Sequence, residues 1–349
     1  MATRPASASI PRPHKAQAHL VRILIYTLLV SWSLVCLFPL YWVVITSLKG
    51  GPEIVHGPLY LPFVDFTPTL EAWAVVLTYS NDHLLLRFFN SVIVGTTSTL
   101  LTILFGGMAV YGLTRFQYAV RWARLALFLL AVILTGIAFV VPAARVQLLL
   151  VVVAALLFLF GTLFKPRGPT LRNDGILFAM LATRILPPVV VALPIYVMAL
   201  YTGTRDTHFA LIFTYTAANL PVAVWLLMPV FGNMATSQEE AAQLDGASHF
   251  QIFFTIFLPM VAASVAAVGL VIFILCWNEY LFAIFLTGDK VSTLPPWVMG
   301  QMSIKEAAAG GDPEEWPQLS AAIVFMVVPL LACTAVALRV LGRTALWNR

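Results

Sequence analysis

The sequence predicts an all-α, polytopic membrane protein, and three observations carry that expectation. Apolar residues make up 60 % of the 349 and charged residues 10 %, with a mean hydropathy of +0.92; a water-soluble globule would carry roughly 25 % charged residues. Eight stretches are apolar over the roughly 20 residues that a helix needs to cross a bilayer. Lys and Arg sit in small groups beside those stretches and form no contiguous basic face, so the net charge of +5 reads as a topology signal and not as a nucleic-acid surface.

The chain opens with an arm, residues 1–20, rich in Pro, Ser and Ala and carrying Arg4, Arg12 and Lys15. The apolar run behind Arg22 is too long for a signal-peptide core, so the arm is expected to stay attached, in the cytoplasm. The spans are placed near 21–47, 86–113, 122–141, 146–164, 175–201, 208–230, 259–286 and 319–341, followed by a cytoplasmic tail, 342–349. With the N-terminus inside, 13 of the 20 Lys and Arg lie on the cytoplasmic side: Arg4, Arg12, Lys15, Arg22, Arg115, Arg121, Arg124, Lys165, Arg167, Arg172, Arg339, Arg343 and Arg349. Six lie outside and Arg184 lies within a span, as the excess of basic residues in cytoplasmic loops requires. The longest loops, 48–85 and 287–318, fall outside, hold most of the acids and offer a surface to an extracytoplasmic partner. Cys36, Cys276 and Cys333 each stand alone in an apolar run and read as packing residues.

Spans three and four, "WARLALFLLAVILTGIAFVV" and "VQLLLVVVAALLFLFGTLF", form a hairpin nearly free of polar groups, which favours a lipid-facing place over one on a solute path. The fifth span holds Arg184, Pro187, Pro188 and Pro194 and cannot be a regular helix. Backbone groups freed at membrane depth are tolerated only against protein or a water-filled cavity, so this span is expected to line one. Asn219 with Pro221 in the sixth span, and Asn278 and Glu279 in the seventh, are the other polar or irregular features at depth. Arg184 and Glu279 read equally as transport residues or as a buried structural pair or interfacial residues that reach water. Tyr196, Tyr215 and Trp277 are candidates for stacking on sugar rings, against the ordinary role of such residues as packing or interface anchors.

The cytoplasmic loop "SQEEAAQLDGASHFQIFFTIFLP", Ser237 to Pro259, carries Glu239, Glu240 and Asp245 and no Lys or Arg. Ser237 and Glu240 fit a capping box, and Gly246 suits a left-handed helix end. The resulting helix of about two turns is too short to persist unless it docks on something. Phe250, Phe253, Phe254 and Phe257 recur behind it at helical spacing and are expected to lie against the membrane interface. Read locally, Glu240 is either a helix cap, worth about 1 kcal/mol, or a docking charge beside the small apolar face of Ala241, Ala242 and Leu244.

Glu240-Ala241-Ala242, Gly246, Ile256 and Leu258-Pro259 resemble the EAA loop of bacterial ABC importer permeases. "TSLK" at Thr46–Lys49, "TPTLEAW" at Thr67–Trp73, "NSVIVGTTSTLL" at Asn90–Leu101, "YGLTRF" at Tyr111–Phe116, "PPVVVALPIYVM" at Pro187–Met198 and "WNEYLFA" at Trp277–Ala283 are similar to the carbohydrate-uptake branch, whose type is the smaller membrane subunit of the maltose transporter. The resemblance implies a type I importer permease core of six spans in a bacterial inner membrane, here with a two-span hairpin inserted at about 121–175. It implies a coupling loop at about 231–258, with Glu239, Glu240, Ala241, Ala242, Leu244, Asp245 and Gly246 as the ATPase-coupling residues. It also implies as partners a second permease subunit, two ATPase subunits that bind ATP and Mg, and an extracytoplasmic solute-binding protein, all within membrane lipid. The substrate path would fall to Arg184, Pro188, Tyr196, Tyr215, Asn219, Trp277, Asn278 and Glu279. The ending "GRTALWNR" departs from the branch.

No phosphate-binding loop, metal cluster or catalytic constellation appears in the sequence, so the subunit is expected to hold no cofactor and to be non-catalytic. An ion-coupled secondary transporter acting alone is the alternative; apart from Arg184 and Glu279 its intramembrane ionisable residues are missing.

Overall fold

The computed structural model describes residues 15–57, 59–79, 83–118, 120–140, 144–163, 170–232, 234, 237–300 and 315–347. Residues 1–14 of the arm, 301–314 of the loop 287–318 and the last two residues of the tail lie outside them. The chain divides into two compact units, residues 1–76 with 302–324 and residues 77–301 with 325–349.

The first unit is built on α1 (Lys15–Thr46), whose side chains are exposed along most of its apolar length. The helix begins at Lys15, so the predicted arm is already helical over its last residues. Beyond α1, Thr69 N donates to Leu48 O at 2.8 Å, and the Asp65 carboxylate accepts from Tyr60 N and Leu61 N at 2.8 and 2.9 Å. Lys49 is buried with its ammonium 4.5 Å from the Trp42 ring centre and 5.3 Å from that of Phe66. Burial lowers its pKa, while Glu53 and Asp65 pull the other way.

The second unit contains α2 (His83–Arg115), α3 (Trp122–Val140), α4 (Ala144–Leu163), α5 (Asn173–Ala182), α6 (Pro188–Tyr201), α7 (His208–Gly232), α8 (Ser237–Leu244), α9 (Ala262–Trp277) and α10 (Leu281–Leu286). A last helix, α11 (Glu315–Trp347), belongs to the first unit up to residue 324 and to the second from 325, and continues through most of the predicted tail. α2, α7 and α9 make the core, and small residues let them approach. A Cβ on Gly106 would stand 3.1 Å from Ala223 Cβ of α7, and one on Gly95 would stand 3.2 Å from the Phe273 ring of α9. Val94, Val110, Leu211, Val224, Leu227, Phe231 and Ile272 fill the space between them.

Two predicted spans are broken. In 175–201 the helix stops at Ala182, passes through one tight turn, Thr183–Ile185, and resumes at Pro188 with an 86° bend. Leu186 and Pro187 are extended there, because a residue before proline is pushed out of the helical region. In 259–286, the segment His249–Met260 bends by 85° into α9, α9 ends at Trp277, and α10 starts afresh at Leu281. Glu279 Oε1 accepts from Phe282 N at 3.1 Å and satisfies one of the amides that a new helix start leaves free. Among the described residues, Val21–Thr46, Leu84–Arg115, His208–Gly232 and Glu315–Arg339 are long and apolar enough to cross a membrane, and each bent pair adds one more span if it is counted so.

α3 and α4 pack on each other and α3 touches α6. The ends of this hairpin are joined by a two-stranded antiparallel ribbon, β1 (Val120–Arg121) and β2 (Thr170–Leu171), in which Val120 pairs with Leu171 and Arg121 with Thr170.

Candidate functional site: a projecting helix and a cavity

α8 is a two-turn helix with a single buried side chain, Glu239. Its C-terminal end is a complete Schellman motif: Gly246 stands at φ +84°, Ala247 N donates to Ala242 O at 2.9 Å and Gly246 N to Gln243 O at 3.0 Å. The left-handed end expected at Gly246 is therefore present. Ser237 is already helical, and the capping box that is present lies one turn beyond α8: Ser248 N donates to Gln251 Oε1 at 2.9 Å and Gln251 N to Ser248 Oγ at 3.3 Å.

Glu239 and Glu240 have opposite fates. Both Glu239 oxygens accept from Arg115 Nε, at 2.8 and 2.9 Å, and Arg115 Nη2 lies 2.5 Å from Oε1. That pair is nearly dry, with side-chain exposures of 11 % and 6 %. Glu240, Ala241, Leu244 and Asp245 are exposed, Leu244 at 89 %, and Ala242 is half-buried. The sequence could not separate the two glutamates, because the ion pair spans 124 positions.

α8 stands on an aromatic footing. The Tyr111 ring meets Phe253 and Phe257 edge-on at 5.5 and 5.2 Å, and Phe257 meets Phe231 at 4.6 Å. Of the four phenylalanines expected against the membrane interface, Phe253 and Phe257 are buried in this footing, and only Phe250 and Phe254 remain outward, 5.0 Å apart. A π-helical turn, Ile252–Phe257, shifts the register and sends the four to two faces.

The second feature is a cavity of about 710 Å³ beside the broken span. Its wall includes Thr183, Arg184, Pro188, Thr202, Phe213 and Pro221, so the Pro-rich span lines this cavity. Arg184 Nη2 donates to Asn219 Oδ1 at 2.8 Å, and Asn219 Nδ2 donates to Tyr215 O at 3.0 Å and to Cys276 Sγ at 3.3 Å. This chain of bonds bolts the break in one span to two others.

Of the residues expected on a substrate path, Arg184 and Pro188 stand in the cavity wall, and Asn219 stands behind Arg184. Tyr215 is buried, with its hydroxyl donating to Glu279 O at 3.2 Å. Trp277 is buried against Phe88 and Phe273, and its indole N–H donates to Met326 O at 3.2 Å. Tyr196 faces Phe285 and the Arg205 guanidinium. Asn278 donates to Ile274 O of its own helix. Arg184 and Glu279 form no direct pair: each is hydrogen-bonded to other residues.

Sequence reasoning missed a third cluster. The Asp206 carboxylate accepts from Gly288 N (2.8 Å), Val291 N (3.1 Å) and Lys290 N (3.3 Å), while Asp206 N donates to Leu286 O (2.8 Å). Burial alone would raise the Asp206 pKa; the three amides and the Lys290 charge outweigh it and hold the carboxyl below its usual value. Nearby, Asn90 Nδ2 donates to Lys290 O and Ser292 O, both at 3.1 Å, and Asn90 Oδ1 lies 2.9 Å from His208 Nε2.

The chain is similar along most of its length to known transport proteins. It is 26 % identical to the trehalose/maltose transport system permease protein MalG of Thermococcus litoralis, over 89 % of this chain and 90 % of that one. It is 27 % identical to the diacetylchitobiose uptake system permease protein NgcG of Streptomyces coelicolor, over 93 % and 85 %. Its fold matches a chain in the crystal structure of a bacterial ABC transporter involved in the import of the acidic polysaccharide alginate, with a TM-score of 0.60 at 18 % identity over 95 % of this chain and 99 % of that one. Residues 157–346, more than half of the chain and including α8, the break at Thr183–Pro187 and the cavity, match the inner membrane component of binding-protein-dependent transport systems, and the protein belongs to that family of permeases.

Proposed function

We propose that this subunit moves a carbohydrate or a related polyhydroxylated solute into the cytoplasm as half of the membrane channel of an ATP-driven importer. A second permease completes the channel, two ATPase subunits hold ATP and Mg and do the hydrolysis, and an extracytoplasmic binding protein delivers the solute. The subunit itself is non-catalytic. In this reading both termini are cytoplasmic, as the distribution of Lys and Arg favours, and the hairpin α3–α4 adds two crossings to a core of six, so that later loops keep their sides. The sugar names borne by the relatives support the substrate class.

One observation carries the coupling role: α8 projects an exposed leucine and two exposed carboxylates, Leu244, Glu240 and Asp245, while its one buried side chain anchors it. An apolar knob at 89 % exposure with acids beside it fits a groove with a basic rim on a soluble partner. ATP-driven approach of the ATPases would carry α8 with it and reshape the cavity beside the broken span.

The test is co-purification of the ATPase with Glu240→Ala and Leu244→Asp variants. Both are expected to insert and fold normally and to lose ATPase association or solute-stimulated hydrolysis. Unchanged association and coupling in Leu244→Asp would end the docking reading. A thermal-shift screen of the binding protein against sugars identifies the solute.

A further inference from the structure

We propose that the last turn of α2 is the joint between the docking helix and the cavity wall, with Arg115 as its positioning residue. The inference rests on the docking role of α8 argued above.

Three elements remote in sequence converge on residues 111–118. From α8, Glu239 grips Arg115. From just beyond α8, His249 Nδ1 lies 3.4 Å from the Tyr111 hydroxyl. From the other side, Asn173, the first residue of α5, donates Nδ2 to Leu113 O at 2.6 Å and to Phe116 O at 2.7 Å, and its Oδ1 accepts from Tyr118 N at 2.9 Å. Asn173 thereby satisfies carbonyls that the end of α2 leaves without helical partners. α5 leads from Asn173 into the break at Thr183–Ile185, where Thr183 and Arg184 enter the cavity wall.

Glu239 is the only buried side chain of α8, so a displacement of α8 reaches the bundle through Glu239 and through the chain on either side of it. The chain beyond α8 leads by Ile252–Phe257 into α9, and the chain before it comes from α7. The Glu239 route leads into α2, and through Asn173 into the broken span. Arg115 Nε shares its one hydrogen between both Glu239 oxygens and Nη2 adds a close charge contact at 2.5 Å, and in so dry a setting this pairing resists separation as an exposed contact would not. Arg115 also covers the Phe257 ring at 5.3 Å, so its position is fixed from both routes.

The experiment uses the intact complex, co-purified with its ATPases and second permease, with Cys36 and Cys333 replaced by Ser. A cysteine at Gln243 reports on α8 and one at Leu186 reports on the cavity wall. Each is followed by its rate of reaction with a maleimide, without nucleotide and after trapping with ATP, Mg and vanadate. With Arg115 and Glu239 intact, trapping is expected to change both rates several-fold. In Glu239→Gln the Gln243 site should still respond and the Leu186 site should lose its response. The charge-exchanged pair, Arg115→Glu with Glu239→Arg, should restore it. A Leu186 response that persists in Glu239→Gln overturns the joint, and so does an assembled exchanged pair without that response. If Glu239→Gln does not assemble, the exchanged pair decides alone. Failure of Gln243 to respond with the native pair present would instead sink the docking reading itself.

Discussion

At one end of the second unit a loop is held side chain to side chain, Arg115 on Glu239, whereas at the other end Asp206 holds a loop by its main chain. Each anchor is a charge with its hydrogen-bonding capacity turned inward, yet they have different mechanical characters. The Arg115–Glu239 link runs through two side chains and leaves the main chain of its loop unheld. The Asp206 link fixes three amide directions, those of Gly288, Lys290 and Val291, and so fixes the shape of the segment 288–291, whatever side chains that segment carries. One side-chain requirement remains: a Cβ on Gly288 would stand 2.9 Å from Asp206 Oδ2. Asn90 and Ser91, on the first turns of α2, reinforce the same loop, through Lys290 O, Ser292 O and Leu294 N. α2 is thus tied to a rigid loop at its start and to a jointed one at its end.

The largest effect is expected at Glu239. Glu239→Ala leaves the Arg115 guanidinium dry and unpaired, and removal of one partner from a buried ion pair costs about 3–5 kcal/mol. Glu240→Ala, one residue on, removes an exposed carboxylate and should change stability by no more than about 0.5 kcal/mol. Thermal unfolding of the two variants in detergent checks the contrast. Equal midpoints would show that Glu239 is as solvated as its neighbour.

A smaller effect is expected at Asp206. Asp206→Asn keeps one carbonyl acceptor and the shape of the loop but loses the charge and part of the fork, at about 1–2 kcal/mol. The folded-state pKa is depressed, so the native carboxylate contributes stability above the unfolded value of about 4, and that contribution fades as pH falls through the lower folded value. The native protein should therefore lose stability below about pH 4 more steeply than Asp206→Asn. Unfolding midpoints at a series of acid pH values measure the difference. Parallel curves would remove the claim that the amides grip a charged group.

These two anchors also mark how far the sequence could be read. Hydropathy located α1, α2, α7 and α11 to within several residues, because a span is a local property. Pro187 with Pro188 announced the broken span and Gly246 the end of α8, because φ restrictions are local too. What could not be read were contacts between distant positions: Glu239 to Arg115 at 124 residues, Asp206 to Gly288 at 82, Asn173 to Leu113 at 60. The surroundings of the aromatic candidates were hidden for a related reason. Tyr215 and Trp277 look the same in sequence whether they face a cavity or a neighbouring helix, and only the packing of α7 and α9 places them inside. The seventh span was read too long because "CWNEYLF" is apolar enough to hide a helix end at Trp277.

The smallest effect is expected from the largest change, removal of the hairpin. Arg121 and Thr170 are paired across the ribbon, so 122–169 can be replaced by a two-residue Asn-Gly turn without moving either strand. Asn173 would keep its bonds to Leu113 and Phe116, and Arg115 its bonds to Glu239, because none of these residues belongs to the hairpin. The buried alanines of the hairpin, Ala131 and Ala154, lie one on each of its two mutually packed helices, and among the described residues the main contact that the rest of the unit loses is that of α3 with α6. Stability should fall modestly, and both anchors should respond to substitution as they do in the full chain. Co-purification of the shortened subunit with its ATPases, with the Glu239→Ala and Asp206→Asn shifts measured again, checks this. If the Glu239→Ala penalty vanished in the shortened subunit, the hairpin would be a brace for the Arg115 joint and not a peripheral addition.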